Sequence, residues 1–283
     1  MIPHFERFVA VDWSGAKGRR HRGIAVAVAE VGREAPRLIP PPNGKAWARA
    51  EVADWLLALP GPWLAGFDFS FAPPFLDRGA YLPGLEAPRD GPGFWAWVDA
   101  QCGDDPDLGA HGFLHGPARP HFWMGKADGE KRRFLRHRRC EMRFNASGGG
   151  KASTVFDFVG AAQVAAASFS GMRLLHRLAA TVAVWPFAPA GERTVVEIYT
   201  RAMLRLAGGP GRKIRTASGL EAALAAFGSA PFPAAGVLSD HATDVIVAAA
   251  GLRALAPEAR WWAPVGLSPE VARTEGWTFG IAD

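Results

Sequence analysis

The sequence predicts an α/β domain built on a mixed sheet, and three observations carry that reading. Short runs of Val, Ile, Ala and Phe come first as a meander, and later runs alternate with helical stretches. The runs lack clean polar–apolar alternation, the pattern of strands covered on both faces. Residues that are 49% hydrophobic and 21% charged suffice for a sizeable core in a chain of 283, which excludes a disordered polypeptide.

Strands are expected at 7–12, 23–29 and, more weakly, 37–39, where Pro40-Pro41-Pro42 ends the run. A helix is expected over 46–59, since Trp47, Val52, Trp55, Leu56 and Leu59 fall on helical spacing and Pro60-Gly61-Pro62 stops it. The next strand is 63–68. From Phe71 to Lys151 Pro, Gly and Trp recur with no persistent period. A structureless connection of that length is uncommon, so it reads as a functional insertion capping the face that carries Asp68, within a single domain spanning 1–283. A helical region follows over 153–181 with a break expected at 168–171. Strands are then expected at 182–186 and 194–198, helices at 200–207, 218–227 and 240–255, and a last strand or two after Trp261.

Cys102 and Cys140 are the only cysteines and form no CxxC pair, so a disulfide scaffold or thiolate metal site is not expected and a reducing cytoplasm is. The N-terminus lacks a charged-then-apolar signal pattern, and no membrane partner is expected because no strongly apolar run reaches about 18 residues. A formal charge of +5 fits either a polyanion ligand or an ordinary solvated surface. The oligomeric state is not legible.

Four acids stand at the ends of buried-looking runs: Asp12, Asp68, Glu197 and, opening an apolar helix, Asp244. A carboxylate there is costly without a partner. One shared divalent cation, Mg²⁺ or Mn²⁺, would relieve all four and suit their hard oxygens; four unrelated surface acids are the alternative. Asp240 lies four residues before Asp244 on the same helical face, as the N-cap or as a partner of the ligands. Ser14 and Ser70 adjoin the first two acids and would hydrogen-bond the carboxylates or the turn backbone. Arg136, Arg139 and Arg143 share helical spacing within a basic run and are the expected nucleic-acid contacts, joined by Lys151 and Lys17. A phosphate loop at Gly148–Lys151 fails, since Asn145 and Ala152 stand where the Walker pattern needs Gly and Ser or Thr. No Gly-x-Ser-x-Gly elbow occurs, and the histidines lack zinc spacing.

The ordered set Val-Asp12-Trp-Ser-Gly-Ala, Gly-Phe-Asp68-Phe-Ser-Phe-Ala-Pro-Pro, Val-Val-Glu197-Ile-Tyr and His241-Ala-Thr-Asp244-Val-Ile-Val-Ala-Ala-Ala resembles a family of predicted nucleases with the ribonuclease H fold, relatives of RuvC resolvases and YqgF-type proteins. Arg139-Cys140-Glu141, Val155-Phe156 and Gly160-Ala-Ala-Gln-Val164 add to the resemblance, which spans residues 7 to 255. It implies a ribonuclease H-like mixed five-stranded sheet flanked by helices, with Asp12, Asp68, Glu197 and Asp244 as catalytic metal ligands and His241 beside them. The family's Glu-hydrophobic-Tyr usually continues with Pro, where this chain has Thr200. The expected activity is metal-dependent hydrolysis of phosphodiester bonds in DNA or RNA. Two alternatives stay open: an actin-like nucleotide-binding phosphotransferase, and a non-catalytic nucleic-acid-binding protein of the same fold.

Overall fold

The structure is a computed structural model that describes residues 2–148, 150–159, 164–209, 211, 213–233 and 238–282. Its strands are β1 (Arg7–Asp12), β2 (Ala25–Glu30), β3 (Arg37–Leu38), β4 (Trp63–Asp68), β5 (Ala183–Val184) and β6 (Arg193–Glu197). They form one mixed sheet in the order β3-β2-β1-β4-β6-β5. β1 pairs antiparallel with β2 and parallel with β4, and β6 runs parallel to both β4 and β5. The sheet therefore has six strands, not five, because the short β5 adds an edge beyond β6.

Helices flank the sheet: α1 (Arg49–Ala58), α2 (Gly91–Gln101), α3 (His111–His115), α4 (Arg139–Ala146), α5 (Val164–Leu178), α6 (Thr200–Leu206), α7 (Ala217–Ala226), α8 (Asp240–Leu255), α9 (Ala259–Trp262) and α10 (Pro269–Thr274). Two apolar cores lie on opposite faces. Val9, Val11, Ala65, Phe67 and Val195 pack with residues of α1, α2 and α5, whereas Phe8, Ala10, Leu64 and Val196 pack with α6 and α8. Burial on both sides explains why the strand sequences do not alternate. Gly66 lets the second core close: a Cβ there would stand 2.6 Å from Ile198 Cγ2 and 2.9 Å from Leu252 Cδ1. None of the described helices is long and apolar enough to cross a membrane.

Three expectations are corrected. The small residues at 168–171 do not break a helix; α5 runs through them. Ser168 Oγ accepts the Ser70 amide, Ser170 Oγ accepts the Trp13 indole N–H, and a Cβ on Gly171 would meet the Phe69 ring at 2.3 Å. Small side chains are there for close approach. The tail after Trp261 forms α9 and α10 in place of strands, apart from an isolated bridge between Glu197 and Thr278. Residues 71–151 are not irregular throughout. Asp90 caps α2 by accepting the Gly93 amide, with Pro92 in the first turn, and α2 packs against α5. That segment serves both faces: α2 packs in the core with α5, whereas Cys140 and Phe144 of α4 join the core of Phe8, Ala10 and Leu64, the side to which Asp68 points.

Candidate carboxylate site

Asp12 and Asp68 are Cα partners at the carboxyl ends of two neighbouring parallel strands. Paired residues point to the same side of a sheet, and side chains alternate along each strand. Both acids therefore share the side of Phe8, Ala10 and Leu64, where α8 packs across β1 and β2. Ser239 caps α8 through the Ala242 amide, and its first turns bring His241 and Asp244 over the same edge. His241 Nδ1 lies 2.7 Å from Asp12 Oδ2. The Thr200 hydroxyl, at the start of α6, donates to Asp68 Oδ2 at 2.5 Å. Lys213 Nζ stands 3.2 Å from Asp240 Oδ2 and 4.0 Å from Asp244 Oδ2.

The three acids feel one another. Burial first, then the charges of Asp12 and Asp244, push Asp68 up to about 7, against the Thr200 hydrogen bond. Burial and then Asp12 push Asp244 up to about 6, although Lys213 opposes the rise. The hydrogen bond to Asp12 raises the His241 imidazole above its ordinary value. Lys213 draws the half-buried Asp240 below the usual carboxylate range.

Glu197 does not join this cluster. It is paired with Phe67, one residue short of Asp68, so it points to the opposite face. There Arg138 grips it with two bonds, Nη2 to Oε1 at 2.5 Å and Nη1 to Oε2 at 2.6 Å. The Phe71 amide and the Thr278 hydroxyl complete its shell at 2.7 and 2.6 Å. Arg138 also holds Glu141 through Nε at 2.8 Å, and all three side chains are buried. A carboxylate with both oxygens engaged this way is a strut between the 71–151 segment and the sheet, although it also lines the pocket that contains Asp12, Asp68 and Asp244.

The remaining predicted residues divide. Lys151 lines the pocket of about 470 Å³ that contains Asp12, Asp68 and Asp244. Lys17, Arg139 and Arg143 are exposed but lie outside that lining. Arg136 is buried and spent internally: α4 begins only at Arg139, and Arg136 binds Asp77 and the carbonyls of Pro74, Ala80 and Tyr81. The three arginines therefore share no helical face. Asp240 is the first residue of α8 and an ion-pair partner, not its cap. Ser14 Oγ accepts the Ala16 amide, and Ser70 Oγ accepts from Arg138. Among the described residues neither serine bonds an acid. Of the segment 160–164, residues 160–163 lie outside the described residues, as does Gly149 of the triple-glycine loop.

Sequence reasoning missed Arg201 and Lys213, which line the pocket, and Thr200, which tethers Asp68. Thr200 had a signal, as a hydroxyl one turn beyond a strand-ending acid. Lys213 had only its place after a Gly-Gly-Pro-Gly run. Three carboxylates offer the oxygen donors that a hard divalent cation requires. Among the described residues no group of three or more His, Cys, Asp and Glu side chains is set for holding a metal ion. His241 occupies an oxygen of Asp12, and Thr200 one of Asp68.

Comparison of the chain with family models, with curated proteins and with solved structures finds no match to any of them.

Proposed function

We propose that this protein is a metal-dependent phosphodiesterase of ribonuclease H type acting on nucleic acid. The observation that carries the reading is the in-register pair Asp12 and Asp68 on adjacent parallel strands, faced by Asp244 from the helix packed on the same side. Strand order supports it, with an antiparallel β3-β2-β1 meander followed by parallel β4 and β6. So does the raised proton affinity of Asp68 and Asp244, since a site that repels its own charges gains most from a cation.

Asp12, Asp68 and Asp244 would hold Mg²⁺ or Mn²⁺, and the ion would supply an activated water and neutralise charge on the scissile phosphate. The chain's own residues do the rest. His241 fixes the orientation of the Asp12 carboxylate, and Thr200 fixes that of Asp68. Lys151, Arg201 and Lys213 give the pocket positive charge on its rim, suited to backbone phosphates whose binding weakens with salt.

The test is cleavage of labelled DNA and RNA hairpins, flaps and junctions with Mn²⁺, comparing the wild type with Asp12→Asn. Cleavage that is lost in the variant supports the proposal. Cleavage that persists unchanged in Asp12→Asn refutes it.

A further inference from the structure

A second pocket, of about 410 Å³, is lined by residues of the 71–151 segment and by Phe156 and shares no lining residue with the carboxylate site. Its wall carries Arg78, His121, Arg133 and Arg136, with Phe134 beside them and Asp128 as the acid. The charges do not cancel. Arg136 is neutralised by Asp77, at 2.7 Å from both Nε and Nη2, and its other bonds go to backbone carbonyls. Asp128 is neutralised by Arg119 at 2.6 Å and accepts the Met124 amide at 2.6 Å. Arg78 and Arg133 remain, and among the described residues neither guanidinium has a hydrogen-bond or ion-pair partner.

Two guanidiniums with free donors, Arg78 and Arg133, therefore line the same pocket as a third whose donors are engaged and whose position is fixed. Burial, and after it the charges of Arg136 and Arg78, hold the His121 imidazole below its ordinary value, so a neutral ring with one N–H also faces the space. Arg78 follows Asp77 directly and is placed by the Asp77–Arg136 pair. Arg133 ends a short 3₁₀ turn, Lys131–Arg133. Surplus charge of two, presented as planar forks, matches a phosphate dianion better than a carboxylate or a neutral ligand.

We infer that this pocket binds a phosphate monoester, held by Arg78 and Arg133 against the fixed guanidinium of Arg136. The inference does not depend on the carboxylate site. A phosphate monoester is carried by a free nucleotide or by the phosphorylated end of a nucleic acid, and the two are separable by experiment.

Isothermal titration of the full chain with inorganic phosphate, adenosine 5′-monophosphate and adenosine is the measurement, repeated on Arg78→Ala/Arg133→Ala. Both residues are exposed and unpaired, so the double variant should keep its Tm within about 1 °C. Phosphate and the monophosphate should bind the wild type, adenosine should not, and the double variant should bind at least tenfold more weakly. Asp68→Asn should bind phosphate as the wild type does, which keeps this result apart from the fate of the carboxylate proposal. A 5′-phosphorylated oligonucleotide that binds more tightly than its 5′-hydroxyl counterpart identifies a strand end as the source, and equal binding identifies the free nucleotide. No phosphate binding, or binding that the double variant leaves unchanged, overturns the inference.

Discussion

Replacing Asp68 with Asn should stabilise the metal-free protein at pH 8, although the residue stands at the centre of the proposed site. The wild-type carboxyl is pushed from 3.8 up to about 7 by burial and by the charges of Asp12 and Asp244. At about 1.4 kcal/mol for each tenfold change in proton affinity, ionising it in the folded state costs about 4 kcal/mol more than in the unfolded chain. Asp68 keeps some contact with the pocket's water, so about 2–3 kcal/mol is the expected gain on removing the charge. For a chain of this size that corresponds to roughly 3–5 °C in Tm. The sign follows from linkage. A carboxyl whose folded-state value is raised binds more protons folded than unfolded, so its contribution is fully present below 3.8 and is lost as pH rises to about 7. The difference between Asp68→Asn and the wild type should therefore be small at pH 4, grow through pH 4–7 and level off above. Thermal melts in chelator across pH 4–8 make the measurement. A variant no more stable than the wild type at pH 8, or a difference that does not change with pH, would refute the idea of a self-repelling acid cluster.

Two further outcomes follow from the same geometry. Glu197→Gln should lower stability by about 1–3 kcal/mol, because Arg138 loses its buried counter-charge, yet should retain the wild-type Tm increase on adding Mn²⁺; loss of that increase would return Glu197 to the ligand set. Gly171→Ala should cost about 1–3 kcal/mol in urea melts, since the added methyl meets the Phe69 ring at 2.3 Å, and a neutral result would mean that α5 and β4 separate freely.

The sheet was largely legible because its strands are apolar runs bounded by Gly, Pro and charge. Helix α8 was read at Asp240–Leu255, the observed span. What escaped reading depended on register. Glu197 and Asp68 look alike in sequence, each closing an apolar run, and only the pairing of Glu197 with Phe67 separates them onto opposite faces. The basic run failed for a related reason. Arg136, Arg138 and Arg139 are near neighbours in sequence, yet the first is buried against Asp77, the second against Glu197, and the third is exposed. Burial of a guanidinium depends on which distant carboxylates reach it, and local spacing carries no record of that. The small residues at Ser168–Gly171 do not break the helix because the demand for them comes from Phe69, Ser70 and Trp13, which no local pattern records.

The run Ala248-Ala249-Ala250-Gly251 in α8 has a consequence for tolerance to change. Ala248, Ala249 and Ala250 are buried and Gly251 lies against Met203 and Phe227, so these small residues let α8 sit close to its neighbours and help set the gap that His241 and Asp244 must span to reach Asp12 and Asp68. The separation of the acids is thus gauged by methyl groups one to three turns away from them. A drift in the volume of those buried positions would retune the site while every acid stayed in place, so the residues that keep the acids in range are the ones with no chemistry of their own.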